Sequence, residues 1–381
     1  MRRVPHSNNI FRYVPHSDCQ RLHFERKQSG ASASDPGENR VLRPTTKDLA
    51  KAAGVSLATV DRVLNGRLGV KQKTVDAVNE AIEAIGFVRN ISAANLARGK
   101  SYRFLFVLPR SGDEFLQELL ARIDEANDSF ASEMIAARAH QVHENDPHEI
   151  AGFLSSLDPN TVDGVAVLAP ESPQVRDAMT RLPERGIHAL PFISNQNSAE
   201  RADFVGIDNR AAGATAGRLM GRFLHCNAGK ILVVAETIQS RDSLERRLGF
   251  DQMIGASFPH LSVLPSLETY GDPARTAAII ATSYANHADI VGAYVLGSEA
   301  RHPLEVIAQS PPGRPQVIIA HERTPFTEQA LIEGRIDAVI AQNPGHLVRS
   351  AIRILRARSD QREPLASQER IRIEILLKEN L

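Results

Sequence analysis

Residues 54–66 read GVSLATVDRVLNG. On a helix, Leu57, Ala58, Thr59, Asp61, Arg62 and Asn65 fall on an outer face, while Val60, Val63 and Leu64 face inward. Hydroxyls and amides suit phosphate oxygens, and an arginine fork suits the edge of guanine. Further on, HERT (His321–Thr324) pairs an imidazole with a carboxylate, a combination suited to acid–base work. It has no companion at catalytic spacing: no HExxH, no GxSxG and no Walker-type loop. Neither an enzyme nor a cofactor or metal site is expected.

The first group needs short helices to hold it. The pattern becomes regular at Pro44. Thr45 or Thr46 can cap a helix whose apolar side is Leu49, Ala50, Ala52 and Ala53. Gly54 ends it, where a left-handed backbone is required. Ser56 can cap the next helix, which runs to about Leu64. A third follows from Lys71 to Ile85, with Val75, Val78, Ile82 and Ile85 as its stripe and Gly86 as its stop. Two short helices across a tight glycine turn form a helix-turn-helix, whose outer face is free to enter a major groove. The alternative is a three-helix bundle with no nucleic-acid role. Charge favours the first reading. Residues 43–100 hold ten Lys/Arg against five Asp/Glu, while residues 101–381 hold 28 against 36.

TTKDLAKAAGVSLATVDRVLNG resembles the DNA-binding headpiece of the LacI (lactose-repressor) family of bacterial transcription regulators. The resemblance implies that Leu57, Ala58 and Arg62 read base edges, and that Thr46, Ser56, Thr59 and Asn65 hold phosphates. Asp61 departs from the Ser that many members carry. RNISAANLARGKS (Arg89–Ser101) resembles the family's hinge helix, with Leu96 matching a leucine that wedges into the minor groove. Arg89 there replaces a usual Pro, and Ala94 a usual Arg. Residues 1–42 read as a disordered tail rich in Ser, Asn, His and Arg. A natural start near Val41 is an expectation that intact-mass measurement checks.

From Tyr102 the period changes. YRFLFVLP, VDGVAVLAP, GIHALPFIS, ADFVGID, GKILVVAE, IVGAYVLG and PQVIIAHE read as buried strands separated by helices. Such alternation predicts parallel sheets covered on both faces, and about 280 residues of it predict two subdomains. Ligands then bind beyond the carboxyl ends of the strands. The C-terminal RIRIEILLKENL reads as a strand and a short end, with no heptads for a tetramerisation helix. No apolar run approaches the roughly 18 residues of a membrane span, and the N-terminus has no secretory h-region. Cys19 and Cys226, the only cysteines, support no disulfide framework. The chain reads as soluble and cytoplasmic.

This region resembles the type I periplasmic-binding-protein fold that serves as the family's effector domain, through VDGVAVLAPESP, FVGIDNRAAGATAGRLMGRFL and HERTPFTEQALIEGRIDAVIAQNP. The expected fold class is therefore α/β: an all-α helix-turn-helix headpiece plus a two-subdomain, parallel-sheet, periplasmic-binding-protein-like domain. The expected divisions are a tail at 1–42, a headpiece at 43–88, a hinge at 89–101 and an effector domain at 102–381. Its subdomains are expected at 102–206 with 321–353, and at 207–320 with 354–381. The resemblance implies a cleft holding a sugar or polyol, contacted by Phe115, Asn195, Asp208, Arg241, Arg246, Glu299, Glu322 and Gln342. Asp208 also reads as an N-cap. A homodimeric repressor on double-stranded operator DNA, controlled by this effector, is the implied function. The competing reading, a carbohydrate solute-binding or sensor protein, would need a signal peptide and no headpiece.

Overall fold

The computed structural model describes residues 44–64, 69–87, 100–110, 112–143, 146–195, 204–225, 228–309 and 317–381. The expected tail, Asn65 and residues 89–99 of the expected hinge, with Leu96, lie outside the described residues. The chain divides into two compact units, Met1–Arg89 and Asn90–Leu381.

The smaller unit has three helices: α1 (Thr46–Ala52), α2 (Leu57–Leu64) and α3 (Gln72–Ile85). Thr45 is the cap of α1. Its hydroxyl accepts from the Asp48 amide, and the Asp48 carboxylate accepts from the Thr45 amide, a reciprocal capping box. Thr46 is the first helical residue. Gly54 (φ +65°) and Gly86 (φ +61°) take the left-handed backbone that ends α1 and α3. Leu49, Val60 and Val78 are fully buried and meet Ala50, Ala81 and Phe87 in a small core.

The larger unit holds two sheets. In the first, β1 (Tyr102–Pro109) lies between β2 (Ile135–Val142) and β3 (Gly164–Val167), with β4 (His188–Pro191) beyond β3, all parallel. Helices α4 (Glu114–Phe130), α5 (Pro147–Ser156) and α6 (Pro173–Arg181) connect these strands. Side chains of β1 alternate between two cores: Phe104, Phe106 and Leu108 enter one, Leu105 and Val107 the other. Of ADFVGID, expected as a strand, the described residues 204–208 make a single bridge, Phe192 to Val205.

The chain then enters α7 (Asn209–Phe223) and the second sheet. Its strands are β5 (Gly229–Ala235), β6 (Leu261–Val263), β7 (Leu267–Glu268), β8 (Ile290–Val295), β9 (Val317–His321), β10 (Ala338–Ala341) and β11 (Glu374–Leu376). The order is β11-β10-β9-β8-β5-β6, with β7 also on β5; only β11 runs antiparallel. Helices α8 (Arg241–Ser257), α9 (Pro273–Asn286), α10 (Arg301–Ala308) and α11 (Pro325–Ile332) cover it.

After β10 the chain returns to the first sheet as α12 (Pro344–Ser359), which packs on α4, β3 and β4, before β11 closes the second sheet. This corrects the expected subdomain division. Residues 321–341 belong with the second sheet, because β9 and β10 pair there, and only α12 rejoins the first. Tyr102 and Lys100 fasten the entry to this unit. The Tyr102 hydroxyl and the Lys100 ammonium both donate to Asp360 Oδ1, at 2.6 and 2.7 Å, beside the end of α12. Among the described residues no helix is long and apolar enough to cross a membrane.

Candidate functional site

Two surfaces carry side chains whose arrangement suits recognition. The first is the outer face of α2. Leu57 is 47% exposed, and Ala58 and Arg62 are exposed beside it, while Val60 anchors the opposite side. Ser56 Oγ accepts from the Thr59 amide at 3.1 Å and lies 2.9 Å from the Thr59 hydroxyl. The hydroxyls expected at phosphates thus also fix the start of α2, which holds the outer face at a set angle to α1. Thr46 is exposed at the first turn of α1.

The second is a cleft of about 200 Å³ in the larger unit. Its walls come from residues just beyond the carboxyl ends of strands, where open α/β sheets bind ligands. Pro109 ends β1, Leu168 follows β3, Ser194 follows β4, Glu236 follows β5, Ser298 follows β8 and Glu322 follows β9. An apolar patch of Phe115, Leu116, Leu168 and Ile193 faces hydroxyls of Thr237, Ser240 and Ser243.

Arg246 enters the cleft wall because two helices pack backbone to backbone. A methyl group at Gly213 of α7 would sit 1.8 Å from the Arg246 carbonyl oxygen, and one at Gly249 of α8 would sit 1.9 Å from that of Arg210. Only glycine permits this approach. Arg246 is buried and donates to Asn209 Oδ1 (2.8 Å), to the Leu296 carbonyl (2.9 Å) and to Glu322 Oε1 (3.0 Å).

Glu322 adopts a left-handed backbone, φ +62°, which is costly for a residue with a Cβ. Its amide donates to the Ile340 carbonyl, and the Thr327 hydroxyl donates to its own carbonyl, so both ends of the strained residue are held. Gln342 Nε2 donates to Glu322 Oε1 at 3.0 Å. Burial pushes the Glu322 carboxyl up, and Arg246 and Gln342 hold it back. Behind it, burial pushes His321 well below the usual imidazole range, aided by the Arg246 charge, and pushes the Tyr294 phenol up. Both are neutral and share a 2.6 Å hydrogen bond.

Side chains also meet across the cleft. The Ser298 hydroxyl donates to Asp113 Oδ2, and Arg301 pairs with Glu114. Glu114 also accepts from the Phe326 amide at 3.2 Å, and Arg241 pairs with Glu171 at 3.1 Å. Glu114, Asp113 and Glu171 belong to the first sheet's side, and their partners to the second's.

Of the residues expected at the effector, Phe115, Arg246 and Glu322 line the cleft. Gln342 stands behind Glu322 and lines a separate cavity of about 430 Å³, where Arg122 and Arg323 face carboxylates. Arg241 lies outside the lining and joins Glu171 to Glu245. Asp208 is exposed and caps α7 through the Ala211 amide, away from the cleft lining. Glu299 is half-buried one residue past Ser298, accepting from the Arg301 amide; burial and the Asp113 charge push its carboxyl up. Asn195 is one residue past Ser194 and half-buried. Sequence reasoning missed Asp113, Glu236, Asp242 and Ser298. Asp113 carried a signal, an acid just before a helix, where it now caps α4 through the Phe115 amide.

Residues 104–363 match the periplasmic binding protein domain family, and residues 45–90 match the lacI family of bacterial regulatory proteins. The chain is 27% identical over 213 residues to the HTH-type transcriptional regulator DegA of Bacillus subtilis, covering 55% of this chain and 60% of that protein. It is 31% identical over 168 residues to the maltose regulon regulatory protein MalI of Escherichia coli, covering 44% and 47%. The chain thus spans about half the length of these curated relatives. A solute-binding protein from Burkholderia graminis, solved in complex with D-arabinose, shares the fold with a TM-score of 0.63 at 20% identity, covering 74% of this chain and 96% of that one. The chain thus belongs to the periplasmic binding protein domain family through its larger unit, and its smaller unit matches the lacI family of bacterial regulatory proteins.

Proposed function

We propose that the protein is a sequence-specific transcriptional repressor that binds operator DNA as a homodimer under control of a small carbohydrate effector. The observation that carries this reading is the pairing, in one chain, of an exposed Leu57-Ala58-Arg62 face with a cleft of hydroxyls and apolar side chains at strand ends. Arg62 reads a guanine edge, Leu57 and Ala58 meet neighbouring bases, and Thr46, Ser56, Thr59 and Asn65 hold phosphates. Leu96 wedges into the minor groove between the headpieces. The dimer places two headpieces about a two-fold axis, so the operator is near-palindromic. The names of DegA and MalI support the regulatory part, and D-arabinose in the Burkholderia protein supports the carbohydrate part.

Selection of genomic fragments by the purified full chain at physiological salt tests the first half. A short palindrome is expected. Weak binding that is steeply salt-dependent and shows no motif would overturn it. Titration of effector with and without operator tests the coupling, which must be reciprocal. Equal effector affinity in both states would end the regulatory reading.

A further inference from the structure

The cleft is acidic. Among the described residues that line it, four are acids, Asp113, Glu236, Asp242 and Glu322, and one is a base, Arg246. Arg246 is committed within the protein. Its donors go to Asn209, the Leu296 carbonyl and Glu322, and its charge is matched by Glu322. The next bases along the rim are committed as well. Arg241 holds Glu171 and Glu245, and Arg301 holds Glu114.

A second observation points to a ligand. Glu322 is 1% exposed, and its Oε2 has no hydrogen-bond partner. A buried carboxylate oxygen without a donor is costly. Oε1 accepts twice, from Arg246 and Gln342, while Oε2 is unfilled on a residue that lines the cleft. Hydroxyls and ammonium groups can both donate to it. The surrounding charge separates them, because a cation is drawn into a cleft walled by carboxylates and an anion is repelled. Burial pushes the carboxyls of both Glu299 and Glu322 up; the Asp113 charge adds to this at Glu299 and, least among its causes, at Glu322, where Arg246 and Gln342 oppose it. The volume, about 200 Å³, lies below the usual ligand pocket of about 300–1,000 Å³, which favours a single ring over an oligosaccharide.

We propose that the effector is an amino sugar: a monosaccharide whose protonated amine is held by the carboxylates of Glu322, Asp242 and Glu236. Its ring lies on Phe115 and its hydroxyls meet Ser194, Thr237, Ser240 and Ser243. Phosphorylated sugars are excluded by the same charges. This rests on the reading of the cleft as a carbohydrate effector site, and names the class of sugar.

The test is calorimetric titration of the full chain, at slightly acidic pH, with matched sets. These are D-glucosamine, D-glucose and D-glucose 6-phosphate, then the three D-galactose counterparts, with spermidine as an amine lacking the ring. In at least one set the amine is expected to bind about tenfold or more tighter than its neutral partner. That advantage is expected to shrink in Asp242→Asn and Glu236→Gln, which alter partly exposed positions and leave the core intact. Glu322→Gln should remove most of it, provided the variant unfolds cooperatively. Equal binding of neutral sugars, or equal loss for amine and neutral sugar in the variants, overturns the amine and leaves the carbohydrate reading standing. Tightest binding by a phosphate also overturns it. Binding of spermidine alone, or of nothing in the panel, overturns the proposal and the carbohydrate reading together.

Discussion

Arg246 Nη2 lies 3.0 Å from Glu322 Oε1, with both side chains 2% exposed. The arginine comes from α8 and the glutamate from the turn after β9, so the pair ties a helix to the carboxyl edge of the second sheet. Removing one member leaves the other charged and buried. Arg246→Met is expected to destabilise the protein by about 3–5 kcal/mol. The double variant with Glu322→Gln should lose clearly less than the two single losses combined. Urea unfolding of the three variants checks this, and strict additivity would mean the pair is not coupled.

The approach of α7 and α8 sets where Arg246 stands. Gly213→Ala puts a methyl group 1.8 Å from the Arg246 carbonyl oxygen, so the helices must part. A loss of about 1–3 kcal/mol or more is expected, with weakened effector binding. Gly255→Ala on the same α8 meets nothing within 4 Å and should stabilise by about 0.5–1 kcal/mol. Thermal unfolding of both variants compares them directly. Similar effects at the two glycines would show that the helix contact is looser than described.

Arg62 is exposed on the outer face of α2 and has no part in the headpiece core. Arg62→Ala is expected to relax base preference at one operator position, at a cost of about 1–3 kcal/mol, while the fold is kept. Binding measured against operators varied one base at a time reads this out. A uniform loss over all sequences would make Arg62 a phosphate contact.

Burial of Asp360 opposes ionisation. Hydrogen bonds from Lys100, Tyr102 and Arg362 outweigh it and hold the carboxyl at about 2, below its ordinary 3.8. The folded value is depressed, so the unfolded chain binds the proton more readily. The contribution to stability is therefore complete above about pH 4 and is lost as the pH falls toward 2. Asp360→Asn should flatten this part of the stability–pH curve. An unchanged slope between pH 4 and 2 would place the acid sensitivity elsewhere.

The headpiece was legible because its signals are local. Gly54 and Gly86 mark left-handed ends, and Val60 and Val78 lie on the stripes that periodicity assigns. The alternating strands were legible for the same reason. The cleft was legible only in part. Knowing that ligands sit beyond strand ends brings the search to 297–299, 321–323 and 341–342, but the path of each turn decides which residue faces inward. At β8 that residue is Ser298, not Glu299; at β9 the left-handed backbone of Glu322 carries it into the wall. Asp208 and Arg241 satisfied the same rule and serve instead as a cap and a bridge. The subdomain division failed at β9 and β10, because apolar runs show that a strand exists but not which sheet receives it.

The chain passes between the two sheets three times: from β4 to α7, from β10 to α12, and from α12 to β11. Three tethers remove freedoms that one would leave open. Repeated crossings between the same two halves restrain sliding more than rotation about the crossings, and such a rotation would change the width of the cleft. The Glu114–Arg301 and Glu171–Arg241 pairs join the two halves and would have to part if they rotated away from each other. The effector proposed for the cleft would therefore bear on both halves of the unit at once.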